Sequence, residues 1–123
     1  MLRIFKNAWF NRFARRERIG DAALTELIAR IAKGAIDADL GGHVIKQRMA
    51  RPGQGKSGGY RTIIIFRQAD KAFFVYGFAK KELENINEDE LKAFKQTAKE
   101  LLALSEDQIE QLIKIEGLTE IES

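Results

Sequence analysis

Six basic residues and no acidic one lie between Leu40 and Ala69: Lys46, Arg48, Arg51, Lys56, Arg61 and Arg67. Nothing in that stretch neutralises its field, so its natural partner is a polyanion. Cations of these two types can also act on a phosphodiester. Crowding by other cations lowers a lysine's pKa and makes it a base for a ribose 2′-hydroxyl, while arginines stabilise the charge that builds on a phosphorane-like transition state. The same side chains also suit a passive RNA-binding face, and charge pattern alone favours that reading. Placement on rigid strands is what would turn binding into catalysis.

Other chemistries find less support. Gly55-Lys56-Ser57 imitates the end of a phosphate-binding loop, but the first glycine of that pattern falls on Ala50, and a strand-forming run follows where a helix should receive the phosphates. His43 is the only histidine and there is no cysteine, so neither a disulfide nor the usual zinc ligand sets can form. His43 is expected to be exposed or bonded to backbone at the start of a strand. Ser57 and Ser105 lie in no nucleophile elbow, and the basic stretch has no clustered carboxylates for metal-assisted hydrolysis. No cofactor is expected.

The elements that must position these cations are legible from period and punctuation. Residues 2–6, LRIFK, suit a strand, and Asn7 a helix cap; Trp9, Phe10 and Phe13 then form an aromatic face, expected in the core. Gly20 breaks that helix, Asp21 is placed as the cap of a second, and Leu24, Leu27, Ile28 and Ile31 give it one apolar face before Gly34. HVIKQRMA reads as a strand with Val44 and Lys46 on one face and Ile45 and Gln47 on the other. RPGQGKSGG is a loop, and YRTIIIFR with AFFVYGFAK should pair as an antiparallel hairpin. Asn87 with Glu90 and Ser105 with Gln108 are capping-box pairs opening two further helices, the last ending near Gly117. LTEIES is an edge strand or a frayed end. The fold class is α+β: an N-terminal helical hairpin on a small, mainly antiparallel sheet, with C-terminal helices.

At 123 residues the chain is expected to form one domain. Its +3 net charge divides unevenly: residues 1–81 hold 17 Lys+Arg against 6 Asp+Glu, and residues 82–123 hold 4 against 12. The first part is the strand, hairpin and sheet core; the second is an acidic helical extension, read as a solvated face in preference to a tail that blocks the basic surface. No run approaches the roughly 18 apolar residues of a membrane span, and the N-terminus lacks a secretory pattern. A soluble cytoplasmic protein without membrane contact is expected.

The order strand, helical hairpin, three-strand run, with GQGKSGGYRTII and YGFAKKE as its most specific segments, resembles the RelE/ParE superfamily of toxins from bacterial type II toxin-antitoxin modules, closest to the HigB/RelE-like branch. The likeness covers residues 1 to about 104. It implies a ribosome-dependent mRNA endonuclease, an mRNA interferase that inhibits translation, with a cognate antitoxin, the ribosome and mRNA as partners. On this resemblance Arg61 matches the catalytic arginine after the loop, and Lys81, with Lys80 beside it, the basic position after the last strand. Lys46, Arg48, Arg51 and Lys56 are candidates for the paired basic residues before the loop. The tyrosine expected after the lysine pair is replaced by Glu84-Asn85-Ile86-Asn87, so a stacking aromatic must come from Tyr60, Tyr76 or Phe78. The implied catalytic set is Arg61, Lys81, Lys80, Arg48 and Lys46; Arg51, Lys56, Tyr60, Arg67 and Phe78 are the implied RNA contacts. Two alternatives stay open: a gyrase-inhibiting toxin of the ParE type without nuclease activity, and a noncatalytic RNA-binding regulator.

Overall fold

The computed structural model describes residues 2–50, 59–79 and 86–122. β1 (Arg3–Asn7) leads into α1 (Ala8–Glu17), capped by the Asn7 side chain, which accepts the Phe10 N–H at 2.8 Å. α2 (Asp21–Ala32) begins one residue earlier than a capping Asp21 would require. Gly20 is its cap residue, and Asp21, the first helical residue, instead holds Lys6 Nζ at 2.9 Å. A carboxylate in the first turn also suits the positive end of the helix.

β2 (Ala38–Gly41), β3 (Val44–Met49), β4 (Tyr60–Arg67) and β5 (Lys71–Ala79) follow, then α3 (Glu88–Leu102), α4 (Glu106–Lys114) and β6 (Leu118–Ile121). Both expected capping boxes close, with Asn87–Glu90 on α3 and Ser105–Gln108 on α4. Among the described residues six strands lie in the order β2-β3-β4-β5-β1-β6. β1 pairs with β5 in parallel and every other neighbour is antiparallel. LTEI is therefore an edge strand. β2, which ADLG gives no β-forming signal for, exists as the opposite edge because β3 offers it an open ladder.

Each face of the sheet has its own core. α1 and α2 bury Phe10, Phe13, Leu24, Leu27 and Ile28 against Ile45, Tyr60, Ile64 and Phe74. α3 and α4 bury Ala98 and Ile109 against Phe5, Val44, Ile63, Ile65 and Phe73. Alternation decides the membership: along β4 the even-numbered residues face the hairpin and the odd-numbered ones face α3. One irregularity breaks it. Ile63 pairs with Tyr76 but Ile64 with Phe74, which leaves Val75 as an extra residue on β5.

Candidate functional site

On the α3 side of the sheet, Arg48, Arg61 and Phe78 stand in one row across β3, β4 and β5. Lys46 lies two residues along β3, on the same face. The bulge at Val75 is what aligns the third strand: without it Gly77 would oppose Arg61, and Phe78 would point to the other face. Gly77 lies opposite Thr62 instead, where only glycine fits, because a Cβ there would come within 2.6 Å of Phe13 Cε2.

Arg48 and Arg61 are direct cross-strand partners, and like charges so placed repel. Asp37 offsets part of that charge: its Oδ2 accepts the Arg48 N–H at 2.7 Å and lies 3.8 Å from Arg48 Nε. Asp37, Ala38, Lys46, Arg48 and Arg61 line a shallow depression of about 260 Å³. Among the described lining residues three cations meet one carboxylate. Arg61 Nη1 is buried and has no hydrogen-bond partner among the described residues. A buried guanidinium nitrogen left without an acceptor is unfavourable, and an anion entering the depression would supply one. Sequence reasoning missed Asp37, which lies in no motif and reaches Arg48 only through the β2–β3 pairing.

The expected site residues divide sharply. Arg61, Arg48 and Lys46 come together as described. Lys80, Lys81, Arg51 and Lys56 lie outside the described residues; the chain leaves for residues 51–58 after Met49 and Ala50 and returns at Gly59, beside the Met49 carbonyl, at this same end of the sheet. Tyr60 is removed from the surface. It is 1% exposed on the hairpin side, edge-on to Phe13, with its hydroxyl donating to Glu17 Oε1 at 2.6 Å. Adjacent strand residues face opposite ways, so the face that presents Arg61 cannot present Tyr60. Phe78 is on the right face but 4% exposed, its ring 6.0 Å from that of Tyr76; it is a wall and not an open stacking platform. Tyr76 itself is half-buried between Trp9 and Phe94.

Arg67 is on the same face as Arg61 but six residues along β4, about 20 Å away at the ordinary strand rise. There it is ion-paired to Asp70 and donates to the Leu102 carbonyl at 3.3 Å. Lys71, then Arg67, hold the Asp70 carboxyl below its ordinary range. Beside them Arg3 binds Glu106 at 2.6 Å and Glu120 at 2.9 Å, and its hydrogen bonds hold the Glu120 carboxyl low as well. Asp70, with Glu106, Glu110 and Glu120 of the C-terminal segment, thus pairs Arg67, Lys71 and Arg3 at the sheet end remote from Arg61. None of the described acids of that segment lines the depression.

His43 takes its backbone role: Nδ1 lies 3.2 Å from the Phe66 carbonyl oxygen. No helix among the described residues is long and apolar enough to cross a membrane. A family model described as the RelE toxin of the RelE / RelB toxin-antitoxin system matches residues 2–121, running through α4 and β6 and so past the residue near 104 where the sequence likeness was expected to stop. No curated protein matches the chain.

Proposed function

The chain belongs to the RelE toxin family, and we propose that this toxin is a ribosome-dependent endoribonuclease that cuts mRNA without a metal ion and thereby arrests translation in the cytoplasm. The observation that carries the reading is the Arg48–Arg61 pair, with a guanidinium nitrogen of Arg61 buried and unpartnered. In this reading the scissile phosphate sits in the depression and accepts from Arg61, with Arg48 oriented by Asp37. A lysine takes the proton of the 2′-hydroxyl, the 2′-oxygen bonds to phosphorus, and the 5′-oxygen leaves with a proton from a second cation. Lys46 lines the depression, and Lys80 and Lys81 directly follow β5, so all three are candidates for these two roles. The arginines stabilise the extra negative charge between the two steps.

Membership of this family implies an antitoxin partner. A segment carrying acidic or apolar residues over Arg48, Arg61 and the residues after Ala79 would neutralise the toxin most simply. The test is primer extension on transcripts after induction, paired with end-group analysis of products formed in EDTA under conditions that keep ribosomes intact. Cuts within translated codons that leave a 2′,3′-cyclic phosphate or its 3′-phosphate are expected. A 3′-hydroxyl product, or arrest of DNA replication with transcripts intact, overturns the reading; the latter points to gyrase inhibition.

A further inference from the structure

A second basic groove lies outside the Arg48–Arg61 depression. It measures about 540 Å³, runs between the β2–β3 turn and α3, and is lined by Gly42, His43, Arg67, Lys95 and Lys99 among others. Its lysines come from an unexpected source. Residues 82–123 carry only four basic residues, Lys92, Lys95, Lys99 and Lys114, among 12 acidic ones. The first three repeat at i, i+3 and i+7, so they share one stripe of α3. A solvated face in so acidic a segment would interleave its lysines with carboxylates. Lys92, Lys95 and Lys99 instead make no ion pair among the described residues. Two carboxylates adjoin Lys92 at helical spacing, Glu88 and Asp89 in the first turn of α3, at the end of the helix away from Lys99.

The β2–β3 turn is shaped around Lys95. Gly41 and Gly42 hold φ values of 85° and 60°, and a Cβ at Gly42 would meet Lys95 Cγ at 3.2 Å. His43 follows at φ 67°, a left-handed conformation unfavourable for a residue with a side chain. Two carboxylates are near, and both are engaged. Asp39 accepts the Gly41 N–H at 2.9 Å, and Asp70 holds Arg67 and Lys71. Asp39 keeps its charge beside the turn, and Lys95 and Lys99, unpaired among the described residues, carry the groove's excess positive charge over it.

We propose that this groove is a second phosphate-backbone subsite, which holds the single-stranded RNA whose scissile phosphate lies at Arg48 and Arg61; the inference rests on the endoribonuclease reading. The two ends of the path, Arg61 and Arg67, are about 20 Å apart on β4; Ile63 and Ile65 between them are buried against α3, so the route joining the ends runs from Lys46 on β3 to Lys95 at the β2–β3 turn. A cationic groove that follows a strand's backbone without reading bases is how single strands are held. The contacts are to phosphate, so they add affinity and salt dependence and no sequence preference.

The test uses the full chain and fluorescent 2′-O-methyl RNA of 4 and 12 nucleotides, which binds but lacks the attacking hydroxyl, with affinity read by anisotropy across a salt series. Wild type binds the longer RNA more tightly and with the steeper salt slope. Lys92→Gln/Lys95→Gln/Lys99→Gln, folded by circular dichroism, loses about tenfold in affinity for the 12-mer, its salt slope falls by about 2, and its affinity for the 4-mer is unchanged. The triple arginine variant recovers the affinity, and Lys114→Gln, on α4, retains it. Unchanged 12-mer binding and slope in the glutamine variant overturn the subsite and leave the nuclease reading standing, as does equal loss on both lengths. Loss of ribosome sedimentation with unchanged 12-mer affinity overturns it in favour of ribosomal RNA as the occupant. Wild type that binds neither RNA but cuts transcripts overturns the subsite alone, and wild type that binds neither and leaves transcripts uncut overturns both.

Discussion

Arg61 keeps a guanidinium nitrogen buried without a partner among the described residues, a condition that disfavours the folded state by about 1–3 kcal/mol for an ordinary polar group. Arg61→Ala should therefore leave thermal stability unchanged or raised while mRNA cleavage falls by about 10² to 10³. Growth arrest by the folded variant would remove Arg61 from the site. Tyr60 predicts the reverse pattern. Its hydroxyl donates to a carboxylate from within the hairpin core, so Tyr60→Phe should lower stability by about 1.5–3 kcal/mol and leave cleavage intact below the melting temperature. Denaturant titration beside a primer-extension assay separates the two; a cleavage defect in stable Tyr60→Phe protein would return this residue to RNA contact.

At the scale of elements, β5 does the positioning, through its bulge and its glycine. Val75, the extra residue, turns Tyr76 and Phe78 onto the face of Arg61, while Gly77 lets α1 press Phe13 onto the sheet. Phe13 is packed among Trp9, Phe10 and Tyr60 and has little room to yield. Gly77→Ala should lower stability by about 1–3 kcal/mol, as overpacking generally does. Because Gly77 adjoins Phe78 in the strand beside Arg61, the substitution should also depress cleavage in the fraction that remains folded. Urea unfolding with activity measured per folded molecule checks both; an unperturbed midpoint would mean that Phe13 moves freely.

At the scale of the whole molecule, an ion-pair network gathers at the sheet end remote from Arg61. Arg3 and Lys71 share Glu106, Arg3 also holds Glu110 and Glu120, and Asp70 joins Lys71 to Arg67. Glu120 and Asp70 have carboxyls lowered below their ordinary values by these cations. A lowered carboxyl stabilises the fold above its unfolded-state pKa, about 4.3 for Glu and 3.9 for Asp, and that contribution is lost as pH falls through the folded value. Stability should be level above about pH 5 and decline below it. Glu120→Gln should lose stability at pH 7 and show a shallower acid decline, read from denaturant midpoints at pH 7, 5 and below about 4. A variant whose acid decline matches wild type would mean that Glu120 contributes nothing through this network.

The sequence by itself determined what is local. Asn7, Asn87–Glu90 and Ser105–Gln108 signal helix starts because caps bond within four residues, and the β4–β5 hairpin follows from two β-rich runs and a short turn. It also brought Arg48 and Arg61 into consideration as cations with no acid nearby in the chain. The tertiary structure alone decided which cations lie together. Arg3 meets its carboxylates across more than 100 residues, and Arg67 is claimed by Asp70 and the end of α3. Strand parity says that Tyr60 and Arg61 point apart, but only the packing of α1 and α2 decides which of the two is covered. The bulge at Val75 resets that parity on β5 without a local signal, because it is a property of the pairing between strands and not of either strand alone.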